Sequence, residues 1–496
     1  MANPVKIIIL GGGTAGWMAA NLFAKRWSSE QVSITLIESP TIGIIGVGEG
    51  STPSLKHFFE TLEIPESEWM PRCNATYKLN IRFADWSPAS GVNDYSHPFF
   101  SQLDTFTQSA FFVNCHTRRL GLNVHTTPED FFINGVLAHQ HKLPISPPNF
   151  MFDMQYGYHF DSHLLGGFLA EHAQKRGVHM RQETIVKVLR HDIGDVAALQ
   201  TEAGETIHGD FFVDCSGFAS VLMQKTLGVK FQSFKDNLFN DSAVVMPTAI
   251  SQKIPLETRA QALSAGWCWK IPLTNRFGNG YVYSSDFISP EQAEREFRLH
   301  LGATDADTEC RHLKMRVGQL EKHWSQNCLG LGLSQGFIEP LEATALHLVQ
   351  TAIELFIDHF TQGNFTAQNR TSFNNNIHER FSRVRDYIVA HYKLNTRNDS
   401  DYWRANRNNM KLSESLLQIL DVWYRCGDLE QEIDRQQLSS HFGAASWHCL
   451  LAGYGAFPAL APNQPRKSEG KGDHYEEQKI AQQLQSWALN FPLAKS

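Results

Sequence analysis

The first forty residues constrain the fold more than any other part of the chain. An apolar run, Lys6 to Leu10, leads straight into Gly11-Gly12-Gly13-Thr14-Ala15-Gly16. A helix-compatible stretch follows over Trp17 to Trp27, and a second strand-like run, Val32 to Ile37, ends in Glu38. Strand, glycine turn, helix and strand in that order predict a βαβ unit. In such a unit Gly11 suits the tight turn, Gly13 lets the backbone approach a pyrophosphate, and Gly16 packs helix on strand. Glu38 follows the last glycine by about 20 residues, where an acid can take ribose hydroxyls. The expected ligand is a dinucleotide. Gly330-x-Gly332 lacks the third glycine and opens no βαβ unit, so one bound dinucleotide is expected.

Further along, Leu164 to Arg176 reads as a helix, Thr184 to Arg190 and Ala197 to Thr201 as strands with a turn at Ala203-Gly204, and Gly209 to Val213 as a strand running into Asp214-Cys215-Ser216-Gly217. An apolar strand ending in Asp-x-x-Gly resembles a second element of FAD folds. Between Gly266 and Phe287 the pattern alternates, which puts Trp267, Trp269 and Ile271 on one strand face, either as a rigid wall or as ordinary sheet packing. Thr351 to Gln362, Phe373 to Tyr392 and Leu412 to Cys426 read as helices. Ala461 to Asp473 reads as a polar linker or mobile loop before a last amphipathic helix, Tyr475 to Phe491. The expected division is a core over 1–350, with insertions near 54–150, and a mainly helical module over 351–496. Lys plus Arg number 44 against 51 Asp plus Glu, so the basic excess of a nucleic-acid binder is missing. No stretch approaches 18 apolar residues, and Met1 precedes a strand rather than a signal peptide, so a soluble, cytoplasmic protein is expected. The eight cysteines are scattered without zinc-site spacing, and no metal is expected.

Four blocks together carry a resemblance: Gly11 to Trp17; Gly46-Val47-Gly48-Glu49-Gly50-Ser51-Thr52-Pro53; Trp267-Cys268-Trp269-Lys270-Ile271-Pro272; and Phe337-Ile338-Glu339-Pro340-Leu341-Glu342. Ile64-Pro65-Glu66 through Trp69-Met70 and Asp401-Tyr402-Trp403-Arg404-Ala405-Asn406-Arg407 extend it. From Pro4 to Tyr454 the chain resembles the flavin-dependent tryptophan halogenase family. The resemblance implies an α/β, glutathione-reductase-like FAD-binding (Rossmann-like) fold with a helical substrate-side part. It implies reduced FAD (FADH2), O2 and a halide, bromide or chloride, turned into hypohalous acid that reaches an electron-rich ring. A separate NAD(P)H-dependent flavin reductase would supply the electrons. Asn74-Ala75-Thr76-Tyr77-Lys78 matches the segment of the catalytic lysine, which gives Lys78 that role. Glu342 matches the acid that orients the oxidant and accepts the ring proton. The FAD contacts implied are Gly11, Gly13, Thr14, Ala15, Gly16, Glu38, Ser39, Glu49, Val186, Leu333 and Leu346, with Ile45 to Thr52 on a strap linking flavin and substrate sites. Trp267 and Trp269 would then wall the flavin off from the substrate.

The chain also departs from that family. Where the family reads Ser-Thr-Gly, this sequence has Ala343-Thr344-Ala345; Thr344 and Ala345 become the inferred halide site, and Ala in place of Gly is expected to remove positive-φ freedom there. Gly50-Ser51 replaces the usual Ala-Thr and should loosen the strap. The stretch from Tyr424-Arg425-Cys426-Gly427 to Ser446-Trp447 is short and has no Tyr-Tyr pair, so the family's clamp for the amino-acid end of tryptophan is missing. The expected substrate is therefore indole or an indole derivative other than free tryptophan, stacked by His97, Phe99, Phe100, Trp447 and Tyr454. Two rivals remain at this stage: a single-component flavin monooxygenase that hydroxylates an aromatic, and a catalytically silent flavin-binding protein.

Overall fold

A computed structural model describes residues 3–41, 43, 48–303, 308–440, 442–460 and 477–494. The chain divides into two compact units, each built from three separate stretches: Met1–Ala75, Phe160–Lys235 and Met315–Ser382 in the first, Thr76–His159, Asp236–Lys314 and Arg383–Ser496 in the second.

The first unit holds the βαβ element. Its strands are Val5–Leu10 and Val32–Glu38, joined through the helix Thr14–Arg26. They are neighbours in a six-stranded sheet ordered Trp324–Ser325, Cys328–Gly330, Phe211–Asp214, Val5–Leu10, Val32–Glu38, His179–Gln182. All pairs are parallel except the first, a short hairpin. Parallel strands are covered on both faces and therefore read as continuous apolar runs, as Ile7-Ile8-Ile9 do. One cover is the helix Ala345–Gln362, whose Leu346, Val349, Ile353, Phe356 and Phe360 recur at helical spacing and are buried. Phe356 and Phe360 lie 5.0 and 4.9 Å from the Phe211 ring. The boundary expected at 350/351 falls inside this helix, because the same apolar stripe that ends the core in sequence is what packs on the sheet. The carboxyl ends of the central strands, Leu10, Glu38 and Asp214, share one edge, the usual ligand side of an open α/β sheet.

The second unit is built on a seven-stranded sheet ordered Arg311–Lys314, Ser242–Ala249, Arg276–Tyr283, Gly266–Pro272, Glu257–Leu263, Asn80–Ala84, Asp94–Pro98. Its pairs are antiparallel except Glu257–Leu263 with Asn80–Ala84. In the tryptophan strand, Gly266–Pro272, Trp269 stands opposite Gly280, where an added Cβ would lie 2.1 Å from the indole. Gly280 thus makes the room that Trp269 fills. Trp267 and Trp269 are buried, with ring centres 6.0 Å apart. The expected helices over 373–392 and 412–426 are Arg370–Leu394 and Glu414–Tyr424. Just past its end Arg119 donates to the carbonyls of Val422, Trp423 and Gly427, a cation at a helix C-terminus. The last helix is Glu477–Ala488; the expected linker Ala461 to Asp473 lies outside the described residues, as does Tyr475. Among the described residues no helix is long and apolar enough to cross a membrane.

Candidate functional site

The cradle in the first unit follows from what each glycine lacks. Gly11 has φ +119°, and a Cβ there would sit 2.2 Å from the Cys215 carbonyl oxygen. One on Gly16 would sit 2.0 Å from the Gly11 carbonyl oxygen, and one on Gly12 would sit 1.9 Å from a Glu38 carboxylate oxygen. Gly13 alone of the four meets nothing within 4 Å. Turn, helix packing and acid are thereby locked together, while the position meant for a pyrophosphate faces open space. Gly13 is also the N-cap of the helix Thr14–Arg26 and offers no side chain. The first amides of that helix are left for an anion. FAD fits this cradle. Gly13→Ala is therefore expected to change stability by less than about 0.5 kcal/mol, like a surface substitution, yet to weaken FAD binding at least tenfold, measured by flavin fluorescence titration against thermal unfolding of the apoprotein.

Around the cradle, Ser39 Oγ lies 3.3 Å from Thr184 Oγ1, and Gln182 Nε2 donates to Glu38 Oε1 at 3.5 Å. Val186, on the strand Ile185–Arg190, is 60% exposed. Leu333 lies in the one-turn helix Gly332–Ser334. One feature has no clear signal in the sequence. Gly332 belongs to an incomplete fingerprint, yet its φ is +62° and a Cβ would fall 2.8 Å from that of Ala15, so only glycine lets this turn lie against the cradle helix. Asp214, fully buried, accepts from the Ser216 amide and hydroxyl, the Ser334 hydroxyl and the amides of Leu222 and Met223. The Asp-x-x-Gly element is thus a junction that fixes the loops beside the cradle. In the strap, Ile45 to Val47 lie outside the described residues; Glu49 follows on the short strand Glu49–Gly50, its carboxyl pushed up to about 7 mainly by burial, with the Ser162 hydroxyl lowering it and Asp161 raising it.

The inferred halide loop starts the helix Ala345–Gln362. Glu342, buried, closes a 3-10 turn, Pro340–Glu342, and Thr344 is the N-cap with φ −82°. The left-handed residue is Ala343, at φ +55°, and Ala345 is the first helical residue. The expected loss of positive-φ freedom at Ala345 is thus overturned, since helical backbone needs none; what alanine adds there is a methyl group. The amides of Thr344, the N-cap, and of Ala345, the first helical residue, have no intrahelical acceptor, an arrangement suited to a halide. Burial, aided by the Arg380 charge, pushes His347 down to about 4, so this imidazole is neutral at pH 7.

The second unit carries the lysine and the aromatic candidates. Lys78 is fully buried at the end of the strand Thr76–Lys78, opposite Gly157. Its Nζ lies 5.3 Å from the centre of the Phe99 ring, held there by a Phe99 amide bond to the Leu79 carbonyl. His97 joins Phe100 (5.9 Å) to Tyr387 (6.3 Å), and Tyr387 meets Trp447 edge-on at 4.8 Å. Tyr454 belongs elsewhere: its hydroxyl pairs with His391 Nδ1 at 2.9 Å, among Phe83, Trp86 and Tyr95 in the core. Trp447 borders a cavity of about 10 Å³, shared with Arg383, Asp386 and Phe442, which has room for one water.

The fold and cradle are those of a dinucleotide-binding protein of the α/β class, in which one strand of the second unit carries a buried lysine. The profile of the tryptophan halogenase family matches residues 6–466. Tryptophan 6-halogenase SttH of Streptomyces toxytricini is 37% identical over 499 residues, covering 94% of this chain and 93% of that protein. Its crystal structure superposes with a TM-score of 0.84 at 35% identity, over 99% of this chain and 98% of the other. The 7-chloro-L-tryptophan 6-halogenase KtzR of Kutzneria sp. (strain 744) is 36% identical, covering 92% of both chains. The structure of a tryptophan halogenase from Shewanella frigidimarina gives a TM-score of 0.86 at 30% identity, over 99% of this chain and 96% of the other. The chain belongs to the tryptophan halogenase family and is a flavin-dependent halogenase of aromatic substrates, which decides against the monooxygenase and the silent flavin binder.

Proposed function

We propose that this enzyme oxidises bromide or chloride at the expense of FADH2 and O2 and places the halogen on the indole ring of tryptophan. Gly11, Gly13, Thr14, Ala15, Gly16, Glu38, Ser39, Glu49, Val186, Leu333 and Leu346 would hold the flavin. When bound, reduced FAD supplies with O2 the oxidising power that converts halide to an electrophilic halogen. The amides of Thr344 and Ala345 hold the halide. Lys78 carries the argument: it is fully buried with its Nζ 5.3 Å from the centre of an aromatic ring, and an ammonium so placed can hydrogen-bond and polarise hypohalous acid. Glu342, buried at its turn, orients the oxidant and takes the proton that leaves when the halogenated ring regains aromaticity. With a single dinucleotide cradle, a separate NAD(P)H-dependent flavin reductase is the electron source.

The substrate assignment corrects the expectation of an indole other than free tryptophan. That expectation rested on a missing clamp, whereas SttH and KtzR, which this chain matches over more than nine tenths of its length, are both named for tryptophan or a chlorinated tryptophan. A second reading, indole without the amino-acid end, is favoured by one observation: between Tyr424 and Trp447 the described chain forms the short helix Leu429–Arg435 and no Tyr-Tyr pair. Equimolar tryptophan and indole, incubated with the enzyme, FAD, a flavin reductase, NADH and bromide, separate the two by mass spectrometry. Brominated tryptophan as the major product is expected; brominated indole beside untouched tryptophan would establish the second reading.

A further inference from the structure

The strand that carries Lys78 is three residues long, and a three-residue strand is weakly held by backbone bonds alone. Thr76 and Lys78 lie two residues apart and so project from the same face. Thr76 Oγ1 donates to the Pro272 carbonyl at 2.7 Å, at the end of the tryptophan strand, and lies 3.0 Å from His159 Nδ1. A hydroxyl has one proton. Spent on Pro272, it leaves Thr76 only as an acceptor toward His159, so the imidazole hydrogen sits on Nδ1. His159 Nε2 is then a bare acceptor for the Thr258 hydroxyl, 2.9 Å away on the neighbouring strand Glu257–Leu263. The hydrogen bonds run one way, from Thr258 through His159 and Thr76 to Pro272. His159 is fully buried, and Thr76 and Thr258 are nearly so. Burial, reinforced by the Lys78 charge, holds the imidazole well below its usual range and hence neutral, as this pattern requires.

We propose that His159 is a positioning residue for Lys78: through Thr76 it fixes the lysine strand to the Trp-x-Trp-x-Ile-Pro strand, so that the ammonium holds hypohalous acid for the ring instead of releasing it. The inference rests on the role given to Lys78. It concerns a residue with no other assigned role, and it gives a task to Thr76 and Thr258 as well.

Three variants test it. His159→Asn keeps a donor where Nδ1 meets Thr76 and gives up Thr258; His159→Gln reaches toward Thr258 and gives up Thr76; His159→Leu loses both. Ring halogenation is measured together with hypohalous acid caught by a diffusible 1,3-diketone, with Lys78→Ala as control. The expected result is a fall in kcat of about 10- to 100-fold in the Leu and Gln variants, the range set by a misplacement near 1 Å. KM for the aromatic should be unchanged and more diketone halogenated, while His159→Asn keeps most of the activity. FAD affinity should match wild type in all. Equal loss in Asn and Gln would make His159 a packing residue only, and wild-type kcat and trapping in Gln would overturn the proposal outright. Should Leu not fold, the Asn and Gln pair decides. Undiminished halogenation in Lys78→Ala would instead remove the reading on which the proposal rests.

Discussion

Lys78→Ala is expected to lower halogenation by about 10²- to 10⁴-fold, the usual contribution of a positioned proton donor, while FAD binds as in wild type. The flavin cradle is made by Gly11, Gly13 and Glu38 in the first unit, whereas Lys78 belongs to the second, buried under Phe99 on a strand locked by Thr76. Oxidation of halide should continue in the variant, with the oxidant appearing in solution and trapped there, because the step removed is delivery to the ring. Lys78→Arg should not rescue. A planar guanidinium presents its donors in a wider fork than an ammonium does and does not fit the same buried space. Loss of flavin affinity together with turnover would show that the lysine acts on the cradle rather than on the oxidant.

Asp214→Ala is expected to destabilise the first unit by about 3–5 kcal/mol, since each buried donor left unmade costs about 1–3 kcal/mol, and to abolish FAD binding with it. One carboxylate accepts five hydrogen bonds, from Ser216 twice, Ser334, Leu222 and Met223. Deleting it leaves buried donors in the loops that border the cradle, and each such donor carries its own desolvation penalty. Asp214→Asn keeps one oxygen and replaces the other with a donor facing donors, so it should fall between Ala and wild type. Urea unfolding of the apoprotein measures the first effect and flavin titration the second. A cost below about 0.5 kcal/mol in the Ala variant, the range of an ordinary surface change, would mean that the network is ornamental.

What could be read from the sequence and what could not divide along a physical line. Gly11, Gly13, Gly16 and Glu38 were legible because their meaning is local: one turn, one helix start and one strand end fall within a single βαβ unit. The alternation that placed Trp267, Trp269 and Ile271 on one face is local as well. Gly332 was not legible, because its need for a positive φ depends on Ala15, a partner far off in sequence. The Thr258, His159, Thr76 and Pro272 relay joins four separate stretches, and no spacing announces it. Ala343 and Ala345 show a different failure. Both are alanine, and only where the helix begins decides which one bears the left-handed backbone. Tyr454 looked suited to stacking a substrate, but an aromatic on a buried helix end is used as readily by the core, and here His391 takes its hydroxyl.

The most direct test of the account is the mass of the aromatic product. The wild-type enzyme is incubated with FAD, a flavin reductase, NADH, air and tryptophan, once with bromide and once with no halide. A product carrying bromine, with its isotope doublet, formed only with halide and only when the reductase is present, is the predicted result. A hydroxylated product that forms without halide, or NADPH consumed by the enzyme with no reductase added, would contradict it.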